Sequence, residues 1–538
     1  MATATTPPPA STQRAERPQA VEVTPPAVPR RALTRVAVVL SAAVVMVGLV
    51  ARFLAPNGMW LDEALSVNIA KLPLTQMAGA LVQDGSPPLY YLLLHVWMLV
   101  FGQGEFAVRS LSAIFSVLTL PFLWLAGRRV GGRRVAWAAL LLGASSPWAI
   151  YYSSYARMYS LMALESVLFF LAVRWAMEFP SRRRLVWTGA LTAALMYTHY
   201  WDLYLLGVVG LWALWRACTE AWGGKVQPGA YPGAARKVLW AMVIGGLAFL
   251  PWSPVFVFQV LHTGTPWSAP PGPASLMSVL GDFSGQAAWG ELLTFIFFAL
   301  LGLALFARPG PRPTSVMLEL RPRPATRFVG LLLAGTLVVA VLVGAVTGAA
   351  FDQRYIAVVF PLFIVVCAIG LTAFGSRAFT AGVLSVACVA GLLSAKQWDS
   401  QPRTEAVKVA AVLNQEAQPG DMVVYCPDQL GPAVDRLLTV PSVTELTFPH
   451  MTGPQRVDWV NYKAAIQGTS TQSFAHTVTG KLGPGARLWL VWRNGYEGFG
   501  GSCGSLASWL GWYLPGGQTV VQASKAYYEY EDLTVFGS

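Results

Sequence analysis

Two adjacent carboxylates, Asp62 and Glu63, stand in the stretch Met59-Trp60-Leu61-Asp62-Glu63-Ala64, a few residues beyond the first long apolar run of the chain. At the rim or centre of a membrane an acid costs roughly 2.5–3.5 kcal/mol on insertion scales, so such a pair needs a partner or a task. A helix starting there would also favour them, since acids complement the N-terminal end of the backbone dipole. Further polar groups recur beside later apolar runs. They are Asp84, the run Tyr151-Tyr152-Ser153-Ser154-Tyr155-Ala156-Arg157-Met158-Tyr159, the run Tyr197-Thr198-His199-Tyr200-Trp201-Asp202, and Asp352-Gln353-Arg354-Tyr355. Singly, each aromatic fits an interfacial belt and each arginine a lipid phosphate. Their convergence on one side of the membrane is what those readings leave unexplained.

Acids together with arginines suit displacement of a phosphate leaving group. In sugar transfer from a lipid phosphate, an acceptor hydroxyl attacks the anomeric carbon and needs a base, for which Asp62 is the candidate, with Glu63 its neighbour. The departing phosphate needs no proton but does need positive charge, and guanidinium forks match phosphate oxygens. Arg157 and Arg354 are the candidates for that role, with Tyr155, Tyr159, Tyr355 and His199 as hydrogen-bond donors. Asp84, His95 and Tyr200 complete the expected substrate-binding set. A single base and no covalent intermediate imply inversion at the sugar.

The elements that position these residues are membrane helices. Of 538 residues 55% are hydrophobic and 12% charged, with a mean hydropathy of +0.50, far from a soluble domain. The net charge of +12 is no nucleic-acid footprint, because the arginines cluster in short loops between apolar runs. There is no Walker loop, GxGxxG, HExxH or CxxC, so nucleotide-driven transport and the common metal motifs lack support. Residues 1–29, rich in Ala, Pro and Thr, read as a disordered cytoplasmic tail without a cleavable signal peptide. Spans are expected near 32–54, 105–127, 135–151, 157–177, 184–199, 201–216, 238–257, 289–306, 328–350, 355–374 and 378–395, eleven in all. The piece 89–101 is too short to span and reads as a helix along the interface, carrying His95 and Trp97. Twenty Lys and Arg then fall in cytoplasmic loops, against Lys71, Arg157 and Arg354 outside, or four with Arg109 at a span end. That bias puts the N-terminus in the cytoplasm and the first loop, 55–104, outside a cell (inner or plasma) membrane.

Residues 396–538 differ in character. Helical pattern at 405–417, 430–438, 455–466 and 503–514, with strand-like pieces at 422–425, 488–492, 518–524 and 527–536, predicts an extracytoplasmic α/β domain. The division expected is therefore the tail 1–29, a transmembrane domain 30–395 and this domain. Cys426 and Cys503 lie in it, where an oxidising compartment permits a disulfide; two separate buried thiols is the other reading. Trp459, Trp489, Trp492, Trp509 and Trp512 are divided between core packing and stacking on sugar rings.

The motifs Trp60-Leu61-Asp62-Glu63, Asp84-Gly85-Ser86-Pro87-Pro88-Leu89-Tyr90-Tyr91, Gly104-Glu105-Phe106-Ala107-Val108-Arg109, Tyr155-Ala156-Arg157-Met158-Tyr159-Ser160-Leu161 and Arg354-Tyr355 resemble the GT-C glycosyltransferases. More narrowly, they are similar to the branch holding the protein O-mannosyltransferases and the aminoarabinose transferase of lipid A. The resemblance runs over about residues 32–375. It implies a GT-C-like fold, a polyprenyl-phosphate sugar donor (mannose or arabinose class), a donor cavity among the spans, Asp62 as base and Arg157 and Arg354 near the phosphate. The acceptor it implies is a glycan, lipid or protein of the cell envelope. No cofactor is required on this reading, and a divalent metal stays open, as some members of the family carry one. The rival from another class is a lipid-linked sugar flippase or transporter without chemistry, which calls for polar residues spread through the membrane depth.

Overall fold

A computed structural model of the chain describes residues 1–4, 30–55, 58–226, 229–264, 270–285, 288–312, 315–319 and 323–537. Most of the expected tail, from residue 5 to 29, lies outside the described residues. The described residues fall into two compact units, Met1–Ala43 and Val44–Ser538. The site and the sheet described below belong to the second.

Among the described residues five helices are long and apolar enough to cross a membrane: Glu105–Ala144, Tyr159–Glu178, Ala288–Phe306, Thr326–Thr347 and Arg377–Asp399. The pair Ala234–Leu247 and Leu250–His262, bent by 42°, makes a sixth if taken as one span. The count is below the eleven expected, in part because Glu105–Ala144 is two arms joined at Gly132 that hold the expected span 105–127 and most of 135–151. Other expected spans are helical too, but Arg182–Thr198 opens on three arginines and Phe360–Gly370 is only 11 residues long. The expected span 135–151 is interrupted: the helix stops at Ala144, and a short helix, Pro147–Ser153, restarts behind the Ser146 cap.

Close helix approach explains several small residues, as is usual where helices cross in lipid. At Gly132 (φ 79°) the chain turns back on itself inside Glu105–Ala144, and Gly127 and Gly143 lie against Val135 and Leu123 of the opposite arm. A side chain at Gly48 would lie 2.1 Å from the Ala144 carbonyl. The same helix end is held by Arg52, wholly buried, whose guanidinium donates to the carbonyls of Gly48, Gly143 and Ala144 and to Ser116 at 2.7–2.9 Å. Carbonyls that a helix C-terminus leaves orphaned thus gain a charged donor.

Between the first helix and Glu105 the chain forms three short helices, Leu61–Ala70, Leu74–Asp84 and Leu89–Phe101. Between the expected spans 289–306 and 328–350 lies a small antiparallel pair, β1 (Ala307–Pro309) and β2 (Val316–Leu318). The C-terminal region holds a five-stranded mixed sheet of β3 (Met422–Cys426), β4 (Thr444–Thr447), β5 (Leu488–Trp492), β6 (Gln518–Val521) and β7 (Asp532–Phe536), in the order β4-β3-β5-β7-β6. β3 runs parallel to both neighbours and is buried at every residue, which is why it reads as an unbroken apolar run. Cys426, at the end of β3, is disulfide-bonded to Cys503 on the helix Ser502–Tyr513.

Two local expectations are corrected, and one tryptophan is assigned. No helix covers 455–461, because Asp458 binds the Val460 N–H at 3.0 Å and Asn461 is left-handed (φ 50°), so the helix begins at Tyr462. The segment before β7 is not strand: Tyr528 and Glu529 donate their N–H groups to Pro402 and Arg403 at 3.1 and 2.8 Å and leave the sheet. Trp489 is core, with its indole donating to Asp421 at 2.9 Å. The polar strand β4 and the helix Thr471–Gly480 carry no apolar periodicity that would announce them.

Candidate active site

The helix Leu61–Ala70 is buried along its whole length, and Asp62 and Glu63 lie in its first turn, where the dipole favours them. Their environments differ. Glu63 is fully buried and is gripped by the Arg109 fork at 2.8 and 2.7 Å, by Arg403 at 3.4 Å and by the Ala156 N–H at 3.1 Å. Burial alone would raise its carboxyl. The charges of Arg109 and Arg403 and these hydrogen bonds outweigh it and hold the group below the ordinary carboxylate value. Glu63 is thus an anchored anion.

Asp62 keeps a side chain about 10% exposed and stands between two guanidiniums from distant segments. Arg354 bonds one oxygen, and Arg157 lies 3.4 Å from the other. Arg354, in the turn before a short 3-10 helix (Tyr355–Val358), is also bonded to Asp352 at 2.9 Å. Burial would raise the Asp352 carboxyl, but Arg354 lowers it below the usual range. Arg157 comes from the turn between the helices Pro147–Ser153 and Tyr159–Glu178. It donates to the Tyr91 hydroxyl at 2.5 Å and lies 3.7 Å from Asp84, to which Tyr91 donates at 2.7 Å. An acid at the last residue of Leu74–Asp84 sits at the wrong end of its helix; Arg157 and Tyr91 offset that cost. The Nε–H of Arg157 is buried and has no hydrogen-bond partner among the described residues.

The expected aromatics form one wall beside these charges. Tyr159 lies 6.4 Å from Tyr355 and 6.1 Å from Tyr155, and His199 lies 4.8 Å from Tyr355, all between ring centres. Two expected residues stand apart. His95 Nδ1 pairs with the Ala70 carbonyl at 2.6 Å and ties two short helices together. Tyr200 bonds Gln259 and accepts from Trp252 at 3.1 Å, and Gln259 in turn donates to the Leu81 carbonyl at 2.8 Å.

The sequence did not single out Arg109, Tyr91, Asp352, Arg403, Tyr528 or Glu529 as site residues. Arg403, nearly inaccessible, also donates to the Ser154 carbonyl and hydroxyl at 2.7 and 2.6 Å and lies over the rings of Tyr151 and Tyr155. Glu529 accepts from the Leu61 N–H at 3.3 Å, capping the helix that carries Asp62 from 468 residues away. An acid followed three positions later by the right helix would signal a local cap, but this one is supplied by tertiary structure alone. Among the described residues no group of three His, Cys, Asp or Glu side chains is placed to hold a metal ion. The carboxylates here face guanidiniums instead, a donor set that does not suit a cation.

Residues 85–258 match the sequence profile of the dolichyl-phosphate-mannose-protein mannosyltransferase family. In structure the chain is similar to ArnT from Cupriavidus metallidurans bound to undecaprenyl phosphate, with a TM-score of 0.55 and 14% identity over 94% of this chain and 98% of that one. The apo state of the same protein gives a TM-score of 0.57 at the same identity and coverage. The Archaeoglobus fulgidus oligosaccharyltransferase complex with Zn and sulfate gives 0.48 at 12% identity, over 84% of this chain and 68% of that one. No curated protein matches the chain in sequence. The chain is a multi-pass membrane protein whose fold is that of ArnT, a GT-C fold.

Proposed function

We propose that the chain is an inverting glycosyltransferase that moves a sugar from a polyprenyl-phosphate donor to an acceptor hydroxyl on the outer face of the membrane. The observation that carries this is Asp62 held between Arg157 and Arg354, guanidiniums supplied by segments nearly 200 residues apart in sequence. When the donor phosphate arrives, both guanidiniums exchange the carboxylate for phosphate oxygens, and Asp62 becomes free to act as base. The acceptor oxygen then forms its bond to the anomeric carbon while its proton passes to Asp62. The bond from that carbon to the phosphate oxygen breaks, and the electron pair leaves on the phosphate, against Arg157 and Arg354. The unpartnered Nε–H of Arg157 is a further donor for that oxygen. Glu63 exchanges no proton; it fixes the helix through Arg109 and Arg403.

The family profile over residues 85–258 and the fold shared with a protein that binds undecaprenyl phosphate support this donor class. A sugar of the mannose or arabinose class and a cell-envelope acceptor fit the same resemblance. The Cys426–Cys503 disulfide favours an oxidising compartment for the C-terminal region. A flippase without chemistry has no use for a carboxylate poised between two phosphate-binding forks. The test is to supply purified protein with defined polyprenyl-phosphate sugars and follow donor consumption. At least one sugar should be consumed by the wild type and none by Asp62→Asn. Turnover undiminished in that variant removes the base from the scheme.

A further inference from the structure

We propose that Trp60 and Tyr528 form the acceptor side of this site, a platform for the ring of a neutral, hydroxyl-bearing glycoside; the assignment to the acceptor rests on the transferase reading above. Trp60 precedes the helix that carries Asp62. It is only 6% exposed, yet its indole N–H has no hydrogen-bond partner among the described residues. A buried donor left unpaired is costly, so an orphan beside a reacting carboxylate marks a place where a ligand oxygen completes the structure. The indole ring lies 5.6 Å from Tyr155 and 5.2 Å from Tyr528, which meets it at 89°, and the Arg354 guanidinium lies 5.7 Å over it.

Tyr528 is unlike the other aromatics of the site. It is 50% exposed, although its backbone is pinned: its own N–H donates to Pro402 at 3.1 Å and the next residue's to Arg403 at 2.8 Å. The adjoining Glu529 carboxyl oxygen holds the Leu61 N–H. A segment from the far end of the chain is therefore clamped in place and presents an aromatic ring to solvent beside Trp60, two residues before Asp62. A sugar ring offers such a platform C–H groups for the π face and hydroxyls for the indole N–H and the phenol. The site's two exposed-edge guanidiniums already serve Asp62 and, in the scheme above, the donor phosphate. What remains on the Trp60 side is aromatic and suits an uncharged ring. A bare hydroxyl, such as a serine side chain, leaves the platform unused.

The test is binding of methyl α-D-mannopyranoside to the full-length protein in nanodiscs, read by saturation-transfer NMR and titration, beside methyl α-D-mannopyranoside 6-phosphate and N-acetylserine methylamide. The neutral glycoside should bind wild type. Tyr528→Ala should weaken it roughly tenfold, Tyr528→Phe should weaken it much less, and undecaprenyl phosphate affinity should be unchanged in both. Equal glycoside affinity in wild type and Tyr528→Ala overturns the proposal. So does binding of only the phosphorylated sugar, or a serine derivative whose affinity depends on Tyr528. Because this readout needs no turnover, it separates from the transferase reading. Tyr528-dependent glycoside binding without consumption of any polyprenyl-phosphate sugar would sink the transferase and keep the platform, and donor consumption with Tyr528-independent binding would do the reverse.

Discussion

Replacing Arg109 by leucine should destabilise the protein through a single buried charge. Glu63 has no exposed surface and takes both Arg109 bonds at 2.8 and 2.7 Å, so the variant leaves its carboxylate with Arg403 at 3.4 Å and one backbone N–H. Breaking a buried pair from one side costs about 3–5 kcal/mol, most of it the desolvated charge left behind. For a unit of this size that corresponds to a fall of roughly 3–5 °C in unfolding temperature. The double variant Arg109→Leu with Glu63→Met removes the stranded charge as well and should regain at least half of the loss. Arg403 keeps its bonds to Ser154 and its stacking on Tyr151 and Tyr155 but loses the Glu63 carboxylate, so recovery should stop short of the wild type. Activity should not return, because the grip on the helix carrying Asp62 is gone. Thermal unfolding by intrinsic tryptophan fluorescence, paired with donor consumption, tests both halves. If Arg109→Leu unfolds with the wild type, or the double variant is no steadier than the single, the account of Glu63 as an anchored anion is refuted.

Asp62→Asn should cut sugar transfer by about 10²–10⁴-fold, the usual worth of a positioned base. The same variant should bind undecaprenyl phosphate at least as tightly as wild type, since a carboxylate competing for Arg157 and Arg354 is lost; weaker binding counts against the exchange of partners. Arg354→Ala should weaken that binding, measured by titration, while leaving an unpaired Asp352. Burial pushes Glu529 up to about 8 and Glu445 up to about 7, from an ordinary 4.5. The folded protein therefore retains protons that the unfolded chain has lost, and stability should fall as pH rises from about 5 to about 8. Glu529→Gln, whose amide oxygen still accepts from Leu61, should flatten the slope of unfolding temperature against pH. Reducing the Cys426–Cys503 bond, which closes a separation of 77 residues, should cost about 4.5 kcal/mol on chain-entropy grounds, seen as a lower denaturation midpoint with reductant present.

How far the site was legible in the sequence follows from where charge is scarce. Asp62, Arg157 and Arg354 stand out because a charge beside an apolar run is costly enough to require a reason, and the three meet in the structure. His95 and Tyr200 stand on the same kind of background but found local partners, the Ala70 carbonyl and Gln259, and a ring satisfied that way leaves no trace in sequence. Arg403, Tyr528 and Glu529 escaped notice for the opposite reason. They lie in a polar region where an arginine, a tyrosine and a glutamate are ordinary, and only the turn of the chain away from β7 brings them to the first helix turn. The irregular stretch before that strand looks like a defect in an α/β pattern, yet it delivers one residue that caps the helix of Asp62 and another that faces its indole neighbour. In a membrane protein built this way the helices declare themselves by hydrophobicity. The residues that join them to the region beyond are set by tertiary geometry, and a substitution that removes the Glu529 acceptor, such as Glu529→Ala, should therefore disturb Asp62 as surely as one within the motif that contains it.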